Sequence, residues 1–271
     1  MLYKVIQYSS LCLLLFLSLV SCSTDDPSEN ATRLRIRLTD AASLEIKDLT
    51  IDIQSIEVMV ADSLNREEEW VTLQFAGGEY NLLKLMNGKS VQLVDQYFPA
   101  GGRLQKIRLM LGNNNRLLTT ANEIIPLEIP SEMTEGIMID NVDAELPSHI
   151  ISSIVIDVNA ALSVRESNGN YSFHPVARAF PEIRGGSLRG YVAPVEANAF
   201  IAVVQATDTF LTLPEADGMF MFTGLKEGTC EVHVMANPLT HYRDTLLTDS
   251  IVQGKITDIT PRPIQLRPSV P

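Results

Sequence analysis

The chain has little cysteine and little positive charge, and apart from one early stretch it has no long apolar run. Its three cysteines are Cys12, Cys22 and Cys230. The first lies in an N-terminal leader and the second at its end, so only Cys230 is left for a mature domain. An intrachain disulfide is thereby excluded, and stability has to come from packing. Lys and Arg total 21 against 33 Asp and Glu, a net charge of −12, or −13 once Lys4 leaves with the leader. Such a balance argues against nucleic acid as a partner and against electrostatic docking on anionic lipid. No run after residue 20 approaches the roughly 18 apolar residues of a membrane span. Trp70 is the only tryptophan, and the four histidines (His149, His174, His233, His241) show neither H-E-x-x-H spacing nor a C-x-x-C beside them. What the chain does have is 45% hydrophobic residues over 271 positions, enough to fold as one large domain or two modest ones.

Residues 1–21 carry one charge, Lys4, and an apolar core from Leu11 to Val20, a length that suits a signal peptide and is too short to cross a bilayer. Leu19-Val20-Ser21-Cys22 resembles a bacterial lipobox. That resemblance implies cleavage before Cys22 and lipidation of its thiol, with diacylglyceryl and amide-linked chains that together give durable attachment. An ordinary secretory signal with a chance cysteine is the alternative. Residues 22–32 are polar and read as a flexible tether, with Ser23–Thr32 reaching at most roughly 33 Å. Asp25-Asp26 after the cysteine resembles the export signal of Bacteroidota surface lipoproteins. It implies an outer-membrane protein facing the cell exterior, with the periplasmic face as the alternative.

Beyond the tether, period-two patterns dominate. Leu34, Ile36 and Leu38 alternate with Arg33, Arg35 and Arg37, predicting a strand with a charged outer face that breaks at Thr39-Asp40-Ala41-Ala42. A long strand is predicted over 49–60, and its apolar phase flips between Ile53 and Ile56, which predicts a β-bulge. Further strands are predicted over 70–73, 104–111, 123–129 and 150–158. Asn81 to Gly88 predicts one or two helical turns, capped by Asn81 and closed by left-handed Asn87-Gly88. Asn168-Gly169 predicts a tight hairpin. Strands at this density predict an all-β fold, with two β-sandwich domains in tandem over residues 33–182 and 186–268.

Leu38-Thr39-Asp40-Ala41, the run ending Ile56-Glu57-Val58, Trp70-Val71-x-Leu73, Asn81-Leu82-Leu83-x-Leu85-x-Asn87-Gly88, Pro99-Ala100-Gly101 and Ile107-Arg108-Leu109 occur together in one order. Over roughly 33–180 they resemble the domain of unknown function 4382 family of bacterial lipoproteins. The resemblance implies a β-sandwich and brings no activity with it. After a linker at Arg184-Gly185-Gly186-Ser187, the stretch Asp217-Gly218-Met219-Phe220-Met221-Phe222-Thr223-Gly224-Leu225-Lys226-Glu227-Gly228 resembles the carboxypeptidase regulatory-like (transthyretin-type) sandwich. A long strand over 230–236, with Cys230, Val232 and Val234 inward, and a closing strand over 257–266 follow from that likeness.

The residues that could carry chemistry have simpler readings. Gly185 to Gly190 fits neither G-x-S-x-G nor G-x-G-x-x-G. Cys230 reads as a buried strand thiol, and His233 as a solvent-facing strand residue. Asp140-Asn141-Val142-Asp143-Ala144-Glu145 has the oxygen ligands calcium wants, but lacks the central glycine of an EF-hand. Glu67-Glu68-Glu69 reads as a solvated turn, and Trp70 and Tyr97-Phe98 as packing aromatics. Asp62-Ser63-Leu64, Asp244-Thr245-Leu246 and Asp249-Ser250-Ile251 resemble the Bacteroidota O-glycosylation acceptor, making Ser63, Thr245 and Ser250 candidate glycan carriers. No catalytic residue, metal site or cofactor is predicted. The expectation is a non-enzymatic envelope lipoprotein, held to the membrane by lipid on Cys22, that binds, adheres or spaces at the cell surface with a glycan or protein ligand. A glycan-binding accessory of a polysaccharide-uptake system is the alternative.

Overall fold

The computed structural model describes residues 30–41, 46–62, 68–133 and 136–269. Cys22, the tether up to residue 29, and Ser63 lie outside these. The N-terminal part is built from β1 (Ala31–Ala41), β2 (Ile46–Asp62), β3 (Glu68–Thr72), β4 (Gly78–Asn81), β5 (Val91–Pro99), β6 (Gly102–Leu111) and β7 (Arg116–Thr119), followed by β8 (Ile124–Pro126), β9 (Ile137–Ile139), β10 (Ala144–Glu145) and β11 (Ile151–Asn159). A helical turn α1 (Ala160–Ser163) leads into β12 (Val164–Ser167), β13 (Asn170–Phe173) and β14 (Ala177–Pro181). The C-terminal part has β15 (Gly186–Ala193), β16 (Phe200–Gln205), β17 (Asp208–Thr212), β18 (Met219–Leu225), β19 (Gly228–Met235), β20 (Thr245–Ile251), β21 (Ile256–Asp258) and β22 (Ile264–Gln265). The molecule is all-β.

In the N-terminal sandwich one sheet has the order β14-β11-β1-β5 and the other β10-β6-β2-β7-β8, with β3 and β4 added to β2 and β9 to β6. The alternation of β1 sends Leu34, Ile36 and Leu38 inward and its arginines outward. These three face Leu49, Ile51, Ile53, Ile56 and Val58 of β2 in one core. All eight are fully buried, and each such side chain contributes about 1.5–3 kcal/mol. The phase flip in β2 is a register shift against β6 between Ile53 and Ser55, so both halves of the strand keep their apolar side on the core. A second core runs from Leu188 to Leu266 between the sheets β18-β15-β21, with β22 also on β15, and β17-β16-β19-β20.

Several local expectations change. β1 does not break at Thr39 but continues to Ala41, parallel to β11. The polar residues that suggested a turn are bonded sideways: Thr39 Oγ1 reaches the carbonyls of Leu85 and Lys89, and Asp40 Oδ1 accepts from Ala160 N at 3.0 Å. Glu68 and Glu69 belong to β3 instead of a turn. Asn81 does not cap the 3-10 turn Leu82–Leu85, because it is the last residue of β4, paired with Thr50. The strand expected over 123–129 shortens to β8. The closing strand expected over 257–266 is two short pieces, β21 and β22, both parallel to β15; Pro261 and Pro263 between them have no N–H to give a ladder. The stretch read as a linker is not slack. Gly186 and Ser187 open β15, and a Cβ on Gly185 would stand 2.7 Å from Gly224 Cα.

Candidate functional site

The residues singled out in sequence do not converge. Cys230 is buried in β19, and burial pushes its thiol up, away from a reactive thiolate. His149 and His241 sit exposed in left-handed turns, His174 contacts Ser172, and His233 pairs with Glu231 two residues away. Among the described residues no three His, Cys, Asp or Glu side chains are grouped to hold a metal. In the 140–145 loop the carboxylates are spread among cations. Asp140 faces Lys106 at 3.5 Å, Asp143 pairs with Arg103 and Arg184, and Glu145 lies 2.7 Å from Arg103. Arg103, then Arg184, holds the Asp143 carboxyl below its usual range. Trp70, half-buried under the Arg108 guanidinium at 4.4 Å, and Tyr97, exposed, lie on different sheets. Thr245 and Ser250 are both on edge strand β20, the first half-buried and the second exposed.

Two side chains of the N-terminal sandwich do converge, and their common target is the β17–β18 region of the C-terminal one. Asn87 follows the 3-10 turn in a left-handed conformation, φ 56°, that Asn tolerates better than most residues. The bend aims its carboxamide across the junction. Nδ2 donates to Leu213 O at 2.9 Å and to Glu215 Oε1 at 3.2 Å. Oδ1 accepts from Thr212 Oγ1 at 2.9 Å and from Met221 N at 3.1 Å. Both donors and both lone pairs are used, the most an amide can do, and the residue is buried. Lys89 adds an ion pair to Glu215 at 2.6 Å, and these contacts hold the Glu215 carboxyl below its usual range, Lys89 first and Asn87 next.

Arg178 on β14 is the second. Its Nε and Nη2 bind Asp157 Oδ2 at 2.9 and 2.8 Å, while Nη1 donates to Gly224 O at 2.9 Å and Nη2 to Thr223 O at 3.2 Å. The guanidinium also lies over Phe180 at 4.9 Å and Phe210 at 4.3 Å, one ring from each sandwich. Burial raises the Asp157 carboxyl, against the pull of Arg178. Beside this latch a cleft of about 730 Å³ opens between the sandwiches, lined among others by Asn141, Asp143, Arg184, Thr207, Phe210 and Lys226. Its arginine, lysine and carboxylates largely neutralise one another. Among the described residues that line it there is no Ser and no His.

The family model described as Domain of unknown function (DUF4382) matches residues 31–175. The chain belongs to this family. The match ends two residues before β14, so the latch residue Arg178 lies just outside the matched DUF4382 stretch, while Asn87 lies inside it. No curated protein matches the chain in sequence. Among solved structures, a leucine-rich repeat protein from Bacteroides thetaiotaomicron is 10% identical with a TM-score of 0.20, over 89% of this chain and 27% of its own. The Bacillus anthracis TIE protein gives 11% and 0.26 over 85% and 38%. The shaft pilin SpaA from Lactobacillus rhamnosus GG gives 10% and 0.26 over 89% and 98%. Scores this low carry no argument about role.

Sequence reasoning read Asn87 as a turn residue and passed over Arg178. A signal existed for the first: Asn-Gly satisfies a left-handed turn with either residue, and here both are left-handed. Arg178 gave none, since an arginine in a short strand reads as solvated. Its importance comes from Asp157, 21 positions away, and from two carbonyls of the other sandwich.

Proposed function

We propose that this DUF4382 chain is a non-enzymatic envelope module, anchored by lipid on Cys22 and presenting two sandwiches as one unit at the cell surface. The observation that carries it is the junction: one fully bonded carboxamide and one guanidinium fix the second sandwich on the first. The crevice beside them offers charge pairs that satisfy each other. In this reading the C-terminal sandwich is a carboxypeptidase regulatory-like spacing unit. Ser63, Thr245 and Ser250 are glycan acceptors, of which Ser250 on β20 is the most accessible of the two described. The chain takes a glycan or protein ligand, and needs no cofactor. Cys22→Ala should move the protein from the membrane to the soluble fraction, and protease added to intact cells should cleave the native protein. A membrane-bound Cys22→Ala variant would contradict the anchor, and protection from protease would contradict display. The second reading, a glycan-binding accessory, is favoured by the arginine-bearing outer face of β1.

A further inference from the structure

The outer face of the β14-β11-β1-β5 sheet can be laid out row by row from its registers. Tyr97, Arg33 and Ile151 form the first row, and Asp95, Arg35 and Ser153 the second. Gln92, Arg37, Val155 and Phe180 form the third, and Thr39, Asp157 and Arg178 the fourth. The C-terminal sandwich stands on the fourth row through Arg178 and walls off that end. The first two rows are open, as is the Gln92–Arg37 part of the third, whose Val155 is buried and whose Phe180 packs against Gly224. The three arginines follow one another at every second residue of one strand, about 6.7 Å apart.

These three guanidiniums share two carboxylates. Asp95 pairs with Arg33 at 2.5 Å and Arg35 at 3.2 Å, while Glu182 comes only within 3.8 Å of Arg37. Asp95 is held below its usual range, by Arg33 first, and stays charged. The face still keeps a net positive charge on a molecule of −12. Arg33, Arg35 and Arg37 are 46%, 29% and 36% exposed. Around the arginines lie an exposed Tyr97 ring, with the Arg33 guanidinium 5.8 Å from its centre, the exposed carboxamide of Gln92, and the Ser153 hydroxyl, which donates to Glu182 at 2.6 Å and keeps its lone pairs for a further donor.

We propose that this face binds a linear polysaccharide bearing carboxylates, laid along β1 with its acidic groups on Arg33, Arg35 and Arg37. Arginine forks suit planar carboxylates, and the tyrosine, glutamine and serine suit hydroxyls. An acidic peptide is disfavoured because backbone recognition needs a sheet edge, whereas this is a face whose central strands are already paired. An anionic membrane would meet the acidity of the whole molecule, and a single polymer strand only the local field. The inference rests on the display reading and names its ligand.

The test is binding of the full mature chain to polygalacturonate, with neutral pullulan, poly-L-glutamate and phosphatidylglycerol vesicles as the other arms. Polygalacturonate should bind, increasingly weakly as salt rises, and pullulan should not. Arg33→Gln/Arg35→Gln/Arg37→Gln should weaken binding at least about tenfold in a chain that still melts cooperatively, at a somewhat lower temperature because Asp95 loses its partners. Asp95→Asn, which frees two guanidiniums, should tighten it. Arg165→Gln, an exposed charge loss on the β12–β13 hairpin, should leave it unchanged. Equal or better binding of poly-L-glutamate or vesicles overturns the proposal, as does no binding to polygalacturonate or an unaffected triple variant. Such a failure alongside protease cleavage on intact cells would remove the ligand and leave display standing; protection from protease would remove display whatever the polymer does.

Discussion

Asn87 shows how much a single side chain can decide. Asn87→Asp keeps its size, its tolerance of positive φ and one acceptor oxygen. It replaces the two N–H donors by a carboxylate facing Leu213 O and Glu215. The expected cost is about 1–3 kcal/mol, the range for stranding buried hydrogen-bonding groups, measured by urea unfolding. A variant as stable as the parent would show that the carboxamide does not hold the junction. Acid should act on the same place. Glu215 is depressed below its ordinary 4.5, and Asp95, Asp143 and Asp258 below 3.8, so the folded state binds protons less readily than the unfolded one at these four. Their stabilisation is present above those ordinary values and is lost as pH falls through the lower folded ones. Asp157 has the opposite sign, because burial raises it. With four groups against one, the melting temperature should hold from neutral pH to about 5 and drop below that. A profile that rises on acidification would mean that Asp157 outweighs the other four.

At the scale of elements, the legible parts of the chain were those where one periodicity ran without interruption. β1 and β11 follow from alternation, and the bulge in β2 from a slip in it. The hairpin at Asn168-Gly169 follows from turn chemistry: both residues have positive φ, at 53° and 82°, and Ser167 pairs with Asn170 across a two-residue loop, as a type I′ turn requires. β5 was not legible because its register against β1 shifts between Ile36 and Arg37, which buries adjacent Leu93 and Val94 and spoils the alternation. β20 was not, because an edge strand needs only one apolar side and Thr245 to Ile251 is mostly polar. The parallel pairing of β1 with β11 joins residues 118 positions apart, beyond any local pattern. Gly224 looked like part of a hairpin signature, yet its position is set by the junction: at φ 67° a Cβ there would run into the Phe180 ring. Gly224→Ala should therefore destabilise the chain more than Gly169→Ala, whose φ is also positive but whose Cβ would meet nothing within 4 Å. Thermal melts of the two variants compare them directly, and equal losses would place the cost in backbone conformation alone.

For the whole molecule, the density of predicted strands foretold an all-β protein. What that pattern could not show is that the two cores are joined by polar contacts instead of a slack linker. Under the proposed anchoring, a lipid on Cys22 would hold the two sandwiches as one body. The β1 face would then keep a fixed relation to the C-terminal sandwich that walls one end of it. The most direct test is a spin-label distance measurement on the mature chain with Cys22 replaced by serine and labels on cysteines introduced at exposed Glu166 and Thr229, one in each sandwich. A single narrow distance distribution in the native background, broadening in the Asn87→Asp/Arg178→Ala variant, is the result predicted. A broad distribution in the native background would contradict a fixed junction, and with it the presentation of the two sandwiches as one unit.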